Sequence, residues 1–258
     1  MINVLRTNIR RFGELYFHDN KKITTFVGSK TNEKSLRKRD LEVKDCLYMK
    51  VDKNVPIPVL RRMPAYLSFV KTLQKQGEKF VSSTRIAEYM EIDSTQVTKD
   101  LSHTGISGKT RVGYEVDSFV TVLEDFLGFS RMDSAFLVGA GSLGSALLQD
   151  KGLSAFGLQI EAAFDTDKAK IGTKVNDIEI FHIDQLRVMA AERNVVIGII
   201  TVPAEYAQNV ADLMVAWGIK AIWNFTPARI KVPSHIVVQN TTIYMNLAIL
   251  FNKLYNQE

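Results

Sequence analysis

The sequence predicts an α/β protein in two parts, an N-terminal winged helix-turn-helix and a C-terminal Rossmann-type parallel sheet. Three observations carry that reading. Apolar residues recur at helical spacing from residue 56 to residue 128, interrupted by a glycine-bracketed basic segment at 107–114. Strand-like apolar runs alternate with helical patterns from Ser134 onward. A Gly-x-Gly-x-x-Gly motif, Gly139, Gly141 and Gly144, stands between the first such run and a helical pattern.

Composition bounds the possibilities. The chain has 258 residues, 46% of them hydrophobic, enough for two modest domains. No run of about 18 apolar residues occurs, and the N-terminus carries no apolar signal segment. A cytoplasmic protein without a membrane partner is expected. The single cysteine, Cys46, excludes an internal disulfide, and the four scattered histidines lack metal-ligand spacing, so no metal is expected. Charge is uneven: residues 1–130 hold 22 Lys/Arg against 16 Asp/Glu, residues 131–258 hold 11 against 12. A basic first half on a near-neutral second half fits an anionic partner held by one domain.

Residues 1–52 show poor periodicity and a basic run, and read as a loosely ordered extension. Met49-Lys50 offers a natural start, which would make residues 1–48 an over-extended beginning or a dispensable basic arm. Residues 53–130 form the expected DNA-binding domain. Pro64 is placed in the first turn of a helix carrying Tyr66, Leu67, Val70 and Leu73, stopped at Gly77. Ser82 or Ser83 caps a second helix. Asp93 or Ser94 caps a third, with Val97 and Leu101 inward and Gly105 beyond its end. The basic hairpin follows, then a helix over 117–127 closed by Gly128.

The third helix turns Ser94, Thr95, Gln96, Thr98, Lys99 and His103 away from its apolar side. Gln, Ser and Thr suit base edges in a major groove, and Lys99 suits guanine or phosphate. Lys109 and Arg111 on the wing, with Arg61 and Arg62 near the first helix, suit a phosphate strand. Asp100 is the exception, an acid better placed to cap or pair within the protein. A winged helix can instead dock on a protein; steep salt dependence of duplex binding separates the two.

Residues 131–240 form the expected nucleotide-binding domain, with strands at 135–138, 158–164, 195–200, 221–223 and 236–238. Gly139 permits a tight turn, Gly141 a close approach of backbone to pyrophosphate, and Gly144 close helix–strand packing. The turn over Gly139, Ala140, Gly141, Ser142, Leu143 and Gly144 offers helix-start N–H groups to phosphates. Asp165 ends the next strand, where a carboxylate accepts from ribose hydroxyls and favours NAD(H) over NADP(H). Thr201, Val202 and Pro203 end one strand, and Asn224, Phe225 and Thr226 another, where doubly wound sheets bind ligands. Coenzyme A or another adenine nucleotide is the alternative ligand. A small dehydrogenase is a weaker alternative, because His182 and His235 have no carboxylate at motif spacing and no separate substrate domain exists. No catalytic residue is assigned. Residues 241–258 read as an amphipathic helix, with Ile243, Leu247, Leu250, Phe251 and Leu254 on a stripe that must pack on something.

From about Ile57 to Asn252 the chain resembles the Rex family of redox-sensing repressors. The resemblance rests on Arg61-Arg62-Met63-Pro64-Ala65-Tyr66, Gln96-Val97-Thr98-Lys99-Asp100-Leu101-Ser102, Gly108-Lys109 with Val112-Gly113-Tyr114, and the run from Val138 to Leu147. It continues in Ala163-Phe164-Asp165, Thr201-Val202-Pro203-Ala204 and Asn224-Phe225-Thr226-Pro227-Ala228-Arg229. The resemblance implies a homodimer exchanging C-terminal helices, NADH and NAD⁺ competing for one site, and an AT-rich inverted-repeat operator released by NADH. The sequence departs from the family where Thr98 stands for a frequent Arg, and where His103 and Thr104 stand for aromatics. It also has Asp150 in place of Tyr and Thr242-Ile243 in place of Asp-Phe, positions that the resemblance links to coupling between nicotinamide and partner subunit.

Overall fold

A computed structural model describes residues 55–256. The readings made for residues 1–52, Met49 as a start among them, lie outside the described residues.

The first part is built on α1 (Ile57–Lys75), which buries Val59, Met63, Tyr66, Leu67, Val70 and Leu73 along one stripe. Pro58 sits at its start, where a missing N–H costs nothing, and Pro64 lies inside the helix rather than in its first turn. Next come β1 (Phe80–Val81), α2 (Ser83–Met90) and α3 (Ser94–Ser102). Ser82 caps α2 by accepting from the Arg85 N–H at 3.1 Å, and Asp93 caps α3 by accepting from the Thr95 N–H at 2.7 Å. The wing closes where Lys109 and Gly113 exchange backbone bonds of 2.8 and 2.9 Å. Its return strand, β2 (Tyr114–Glu115), pairs antiparallel with β1, a short strand that lacks enough length to show periodicity in sequence. α4 (Val116–Leu127) ends at Gly128 in the left-handed region, φ 79°. Val97, Leu101, Phe119 and Leu123 complete one apolar core with α1.

The second part comprises β3 (Asp133–Val138), α5 (Ser142–Gln149), α6 (Gly152–Ala155), β4 (Leu158–Asp165), β5 (Lys174–Val175) and β6 (Ile178–His182). α7 (Leu186–Arg193), β7 (Ile197–Ile200), α8 (Ala207–Ala216), β8 (Ala221–Asn224), β9 (Val237–Asn240) and α9 (Ile243–Tyr255) follow. The sheet order is β5-β6-β4-β3-β7-β8-β9, with every pair parallel except β5-β6. Without the antiparallel edge strand β5 this is the dinucleotide-fold order, reversing between β3 and β7. Alternation along β3 serves both faces: Ala135 and Leu137 join one apolar cluster, Phe136 and Val138 the other. The β5–β6 hairpin is an addition to the sequence reading. His182 is the last residue of β6.

α9 differs from every other long helix among the described residues, because none of its side chains is buried. Ile243, Leu247, Leu250 and Leu254 are all exposed, Leu250 at 59%. No helix among the described residues is long and apolar enough to cross a membrane.

Candidate nucleotide cleft and nucleic-acid interface

The sheet reverses direction where β3 and β7 run side by side, with Val138 opposite Ile200. The chain leaves β3 through Gly139 at φ 103°, a conformation that L side chains avoid. A Cβ there would lie 2.8 Å from the Thr201 carbonyl carbon, and one at Gly144 only 2.1 Å from the Gly139 carbonyl oxygen. Both glycines are therefore sterically required by the turn. Gly141 is not: a Cβ on it meets open space, on the side where it lines the adjoining cleft. Thr201 locks the turn from the β7 side, its hydroxyl donating to the Gly139 carbonyl at 2.7 Å. The first turn of α5 closes with the Ser145 N–H on the Gly141 carbonyl at 2.8 Å. The N–H groups of Ser142, Leu143 and Gly144 are thus helix-start donors with the positive end of the dipole behind them.

A cleft of about 560 Å³ opens at this switch point, lined by Gly139, Gly141, Asp165, Lys170, Val202 and Pro203 among others. Asp165 stands at its rim. Its Oδ2 accepts from the Ala140 N–H at 2.9 Å and lies 3.2 Å from Lys170 Nζ. Its Oδ1 accepts from the Thr166 and Asp167 N–H groups at 2.8 and 2.9 Å. Burial pushes this carboxyl up, but the Asp167 N–H, Lys170 and the Thr166 N–H outweigh burial and hold it below the usual carboxylate range. An anionic acceptor at the rim, helix-start donors at the base and a glycine turn between them fit the ribose and pyrophosphate of a dinucleotide. Ile183, Tyr206 and Asn209 also line the cleft; Ile183 follows β6, a strand absent from the sequence expectations.

The second predicted loop behaves differently. Asn224 is fully buried. Its Nδ2 donates to the Ala228 carbonyl and to Asn240 Oδ1, both at 2.9 Å, and its Oδ1 accepts from the Thr226 N–H and hydroxyl. Thr226 is buried beside it. These two side chains shape the turn after β8, while Phe225 stacks at a tilt on Trp223 with centroids 4.6 Å apart. None of the three is among the residues lining the cleft.

In the first part, α3 presents Thr95, Thr98 and Lys99 to solvent, and the wing presents Lys109 and Arg111. The Thr95 and Thr98 hydroxyls donate within the helix start, to Asp93 Oδ1 at 2.6 Å and the Ser94 carbonyl at 3.1 Å. Lys109 Nζ lies over the Phe80 ring, 5.2 Å from its centroid, which steadies the wing base. Arg111, at the wing tip, has φ 65°. Arg61 is exposed, whereas Arg62 is drawn inward by Asp100. Asp100 also accepts from the Tyr66 hydroxyl and from Gln96 Nε2, both at 2.7 Å. The acid singled out in the sequence as a pairing residue is thus the centre of a buried network, and it holds two side chains, Arg62 and Gln96, assigned to DNA. Among the described residues, no group of three or more His, Cys, Asp or Glu side chains is disposed to hold a metal ion.

A winged helix joined to a dinucleotide-type sheet defines a DNA-binding regulator with a nucleotide-responsive domain. A family model described as "Putative DNA-binding protein N-terminus" matches residues 54–102, and one described as "CoA binding domain" matches residues 130–228. The chain is 58% identical over 200 residues to the redox-sensing transcriptional repressor Rex of Bacteroides fragilis, covering 78% of this chain and 91% of that one. It is 52% identical over 204 residues to the Rex repressor of Porphyromonas gingivalis, covering 79% and 94%. The chain belongs to the Rex family of redox-sensing transcriptional repressors, and it is a regulator rather than a dehydrogenase. Among solved structures, it is similar to RSP, described as a Rex-family repressor. The complex of RSP with β-NAD⁺ and operator DNA superposes at TM-score 0.76 with 30% identity, covering 80% of this chain and 95% of that one. The RSP complex with β-NADH superposes at 0.72, again with 30% identity, covering 80% and 97%.

Proposed function

We propose that this chain represses transcription as a cytoplasmic homodimer bound to an inverted-repeat operator, and that binding of NADH in the cleft releases it. The observation that carries the reading is the cleft at the β3–β7 reversal, with the glycine turn below it and Asp165 at its rim. Gly139, Ala140, Gly141, Ser142, Leu143 and Gly144 would hold pyrophosphate through backbone N–H groups, and Asp165 the adenosine ribose. Thr201, Val202 and Pro203 flank the nicotinamide end, with Phe225 beyond them; Asn224 and Thr226 act by holding the Phe225 loop. The domain limits that fit this division are 53–130 for DNA, 131–240 for the nucleotide and 241–258 for dimerisation.

On the DNA side, Ser94, Thr95, Gln96, Thr98, Lys99 and His103 face a major groove, while Arg61, Lys109 and Arg111 follow phosphates. Arg62 contributes by orienting the network around Asp100. The exposed stripe of α9 packs on a second copy of the chain, exchanged between subunits. A nucleotide shifts such a dimer only through its differential affinity for two forms. Moving it from mostly bound to mostly released takes a preference of roughly 10²–10⁴-fold, about 3–5.5 kcal/mol.

Coenzyme A is the second reading, favoured by the description of the C-terminal family model. Calorimetry with NADH, NAD⁺, ADP and coenzyme A separates the two. The proposal itself is tested by operator selection followed by gel-shift titration. NADH is expected to lower operator affinity far more than NAD⁺, and equal effects overturn it.

A further inference from the structure

We propose that Lys170 sets how strictly the cleft excludes a nucleotide phosphorylated on its adenosine ribose, acting as a latent phosphate ligand that Asp165 keeps occupied. The inference rests on the dinucleotide reading given above and concerns the same cleft.

Lys170 lies in the connection that follows β4, and it lines the cleft together with Gly139, Gly141 and Asp165. Its Nζ is 3.2 Å from Asp165 Oδ2 and 3.6 Å from Asp167 Oδ2. The loop beneath it is fixed. The Lys170 N–H donates to the Asp167 carbonyl at 3.0 Å, and the Thr173 hydroxyl donates to the Lys170 carbonyl at 2.6 Å. The other donors on Asp165 are backbone N–H groups of Ala140, Thr166 and Asp167, which cannot leave without unmaking the glycine turn or the loop. The ammonium, on its four-carbon stem, is the one Asp165 donor in this set able to swing away when a ribose hydroxyl approaches.

The charge arrangement decides the selectivity. A carboxylate at the end of this strand accepts from the ribose diol and repels a 2′-phosphate, whereas a cation in the same loop accommodates one. This chain places both there. Asp165 is the carboxylate on the cleft lining, so the unphosphorylated ribose is preferred, but Lys170 beside it offsets part of the repulsion. Losing Lys170 sharpens the exclusion of a 2′-phosphate. Losing the charge of Asp165 frees Lys170 to pair with one.

The test measures Kd for NADH and NADPH by calorimetry on the full chain, in wild type, Lys170→Gln, Asp165→Asn and the double variant, with folding checked by circular dichroism. The ratio of NADPH Kd to NADH Kd is expected to rise on the order of tenfold in Lys170→Gln and to fall by a similar factor in Asp165→Asn. The fall is expected to vanish in the double variant. A Lys170→Gln ratio equal to wild type overturns the proposal, as does an Asp165→Asn gain that survives the loss of Lys170. Lys170→Gln alters a partly exposed rim side chain and keeps the proposal decidable if Asp165→Asn fails to fold. Absence of NADH binding by wild-type protein is a different result: it overturns the dinucleotide reading and this proposal with it.

Discussion

Arg62 and Asp100 meet across the winged helix, one on α1 and the other on α3, with Nε and Oδ2 2.6 Å apart and a second contact of 2.8 Å from the other guanidinium nitrogen to Oδ1. Asp100 is 1% exposed, so this bidentate pair fixes the face that α3 turns toward its partner. Removing the acid strands a guanidinium, a phenol and an amide that now share one acceptor. Asp100→Ala is expected to lower stability by about 3 kcal/mol, read as a shift in the urea midpoint. A loss below about 1 kcal/mol would mean that the network is incidental to the fold.

The same network makes a prediction in acid. Burial pushes the Asp100 carboxyl up, but hydrogen bonds from Arg62, Tyr66 and Gln96, together with the Arg62 charge, outweigh it and hold the carboxyl below its usual value of 3.8. A carboxyl depressed in the folded state contributes stability that is complete above the unfolded value and lost as pH falls through the folded one. Urea titrations from pH 5 downward should therefore show stability falling below about pH 4, with a smaller fall in Asp100→Asn. Parallel curves for the two proteins would contradict the assignment.

Charge removal on the DNA face should separate two kinds of contact. Arg111→Ala and Arg61→Ala are each expected to weaken binding to all duplexes alike and to reduce the salt slope by about 1. Gln96→Ala should leave that slope in place and relax preference at one base pair, at a cost of about 1–3 kcal/mol. Anisotropy titrations over a salt series, on the operator and on single-base variants, distinguish these outcomes. A changed salt slope in Gln96→Ala would place that residue on phosphate instead.

The glycine turn was legible in the sequence because its constraints are local. Gly139 needs a positive φ and Gly144 a bare backbone, so the motif announces the turn, the helix start and the strand before it. The Ser82, Asp93 and Gly128 helix ends were legible for the same reason. Pro64 misled because proline usually opens a helix; here it is exposed inside α1, where a carbonyl deprived of its partner can bond to water. The β5–β6 hairpin was overlooked although Asn176 and Asp177 carry its signal: both have positive φ, 50° and 64°, between short apolar-alternating segments. The pairings of Asp100 with Arg62 and of Asp165 with Lys170 were not legible. The first joins residues 38 apart in sequence, and the second depends on a loop conformation that no periodicity encodes.

The exposed stripe of α9 predicts an assembly. Leu250→Asp with Leu254→Asp places two charges on the exposed apolar stripe. If a second copy covers that stripe, sedimentation at micromolar concentration should show wild type as a dimer and the double variant as a monomer. A dimer that survives both charges would move the interface elsewhere.

The most direct measurement concerns the spacing of the two recognition helices. Spin labels attached through Glu88→Cys in a Cys46→Ser background report that spacing from α2, on an exposed side chain away from the proposed base contacts. Distances between the two subunits' labels, read by double electron–electron resonance, are predicted to differ between the operator complex and the NADH-bound dimer, with NAD⁺ leaving the operator-like distance in place. Superimposable distributions for the NADH and operator states would contradict the coupling between cleft and DNA face.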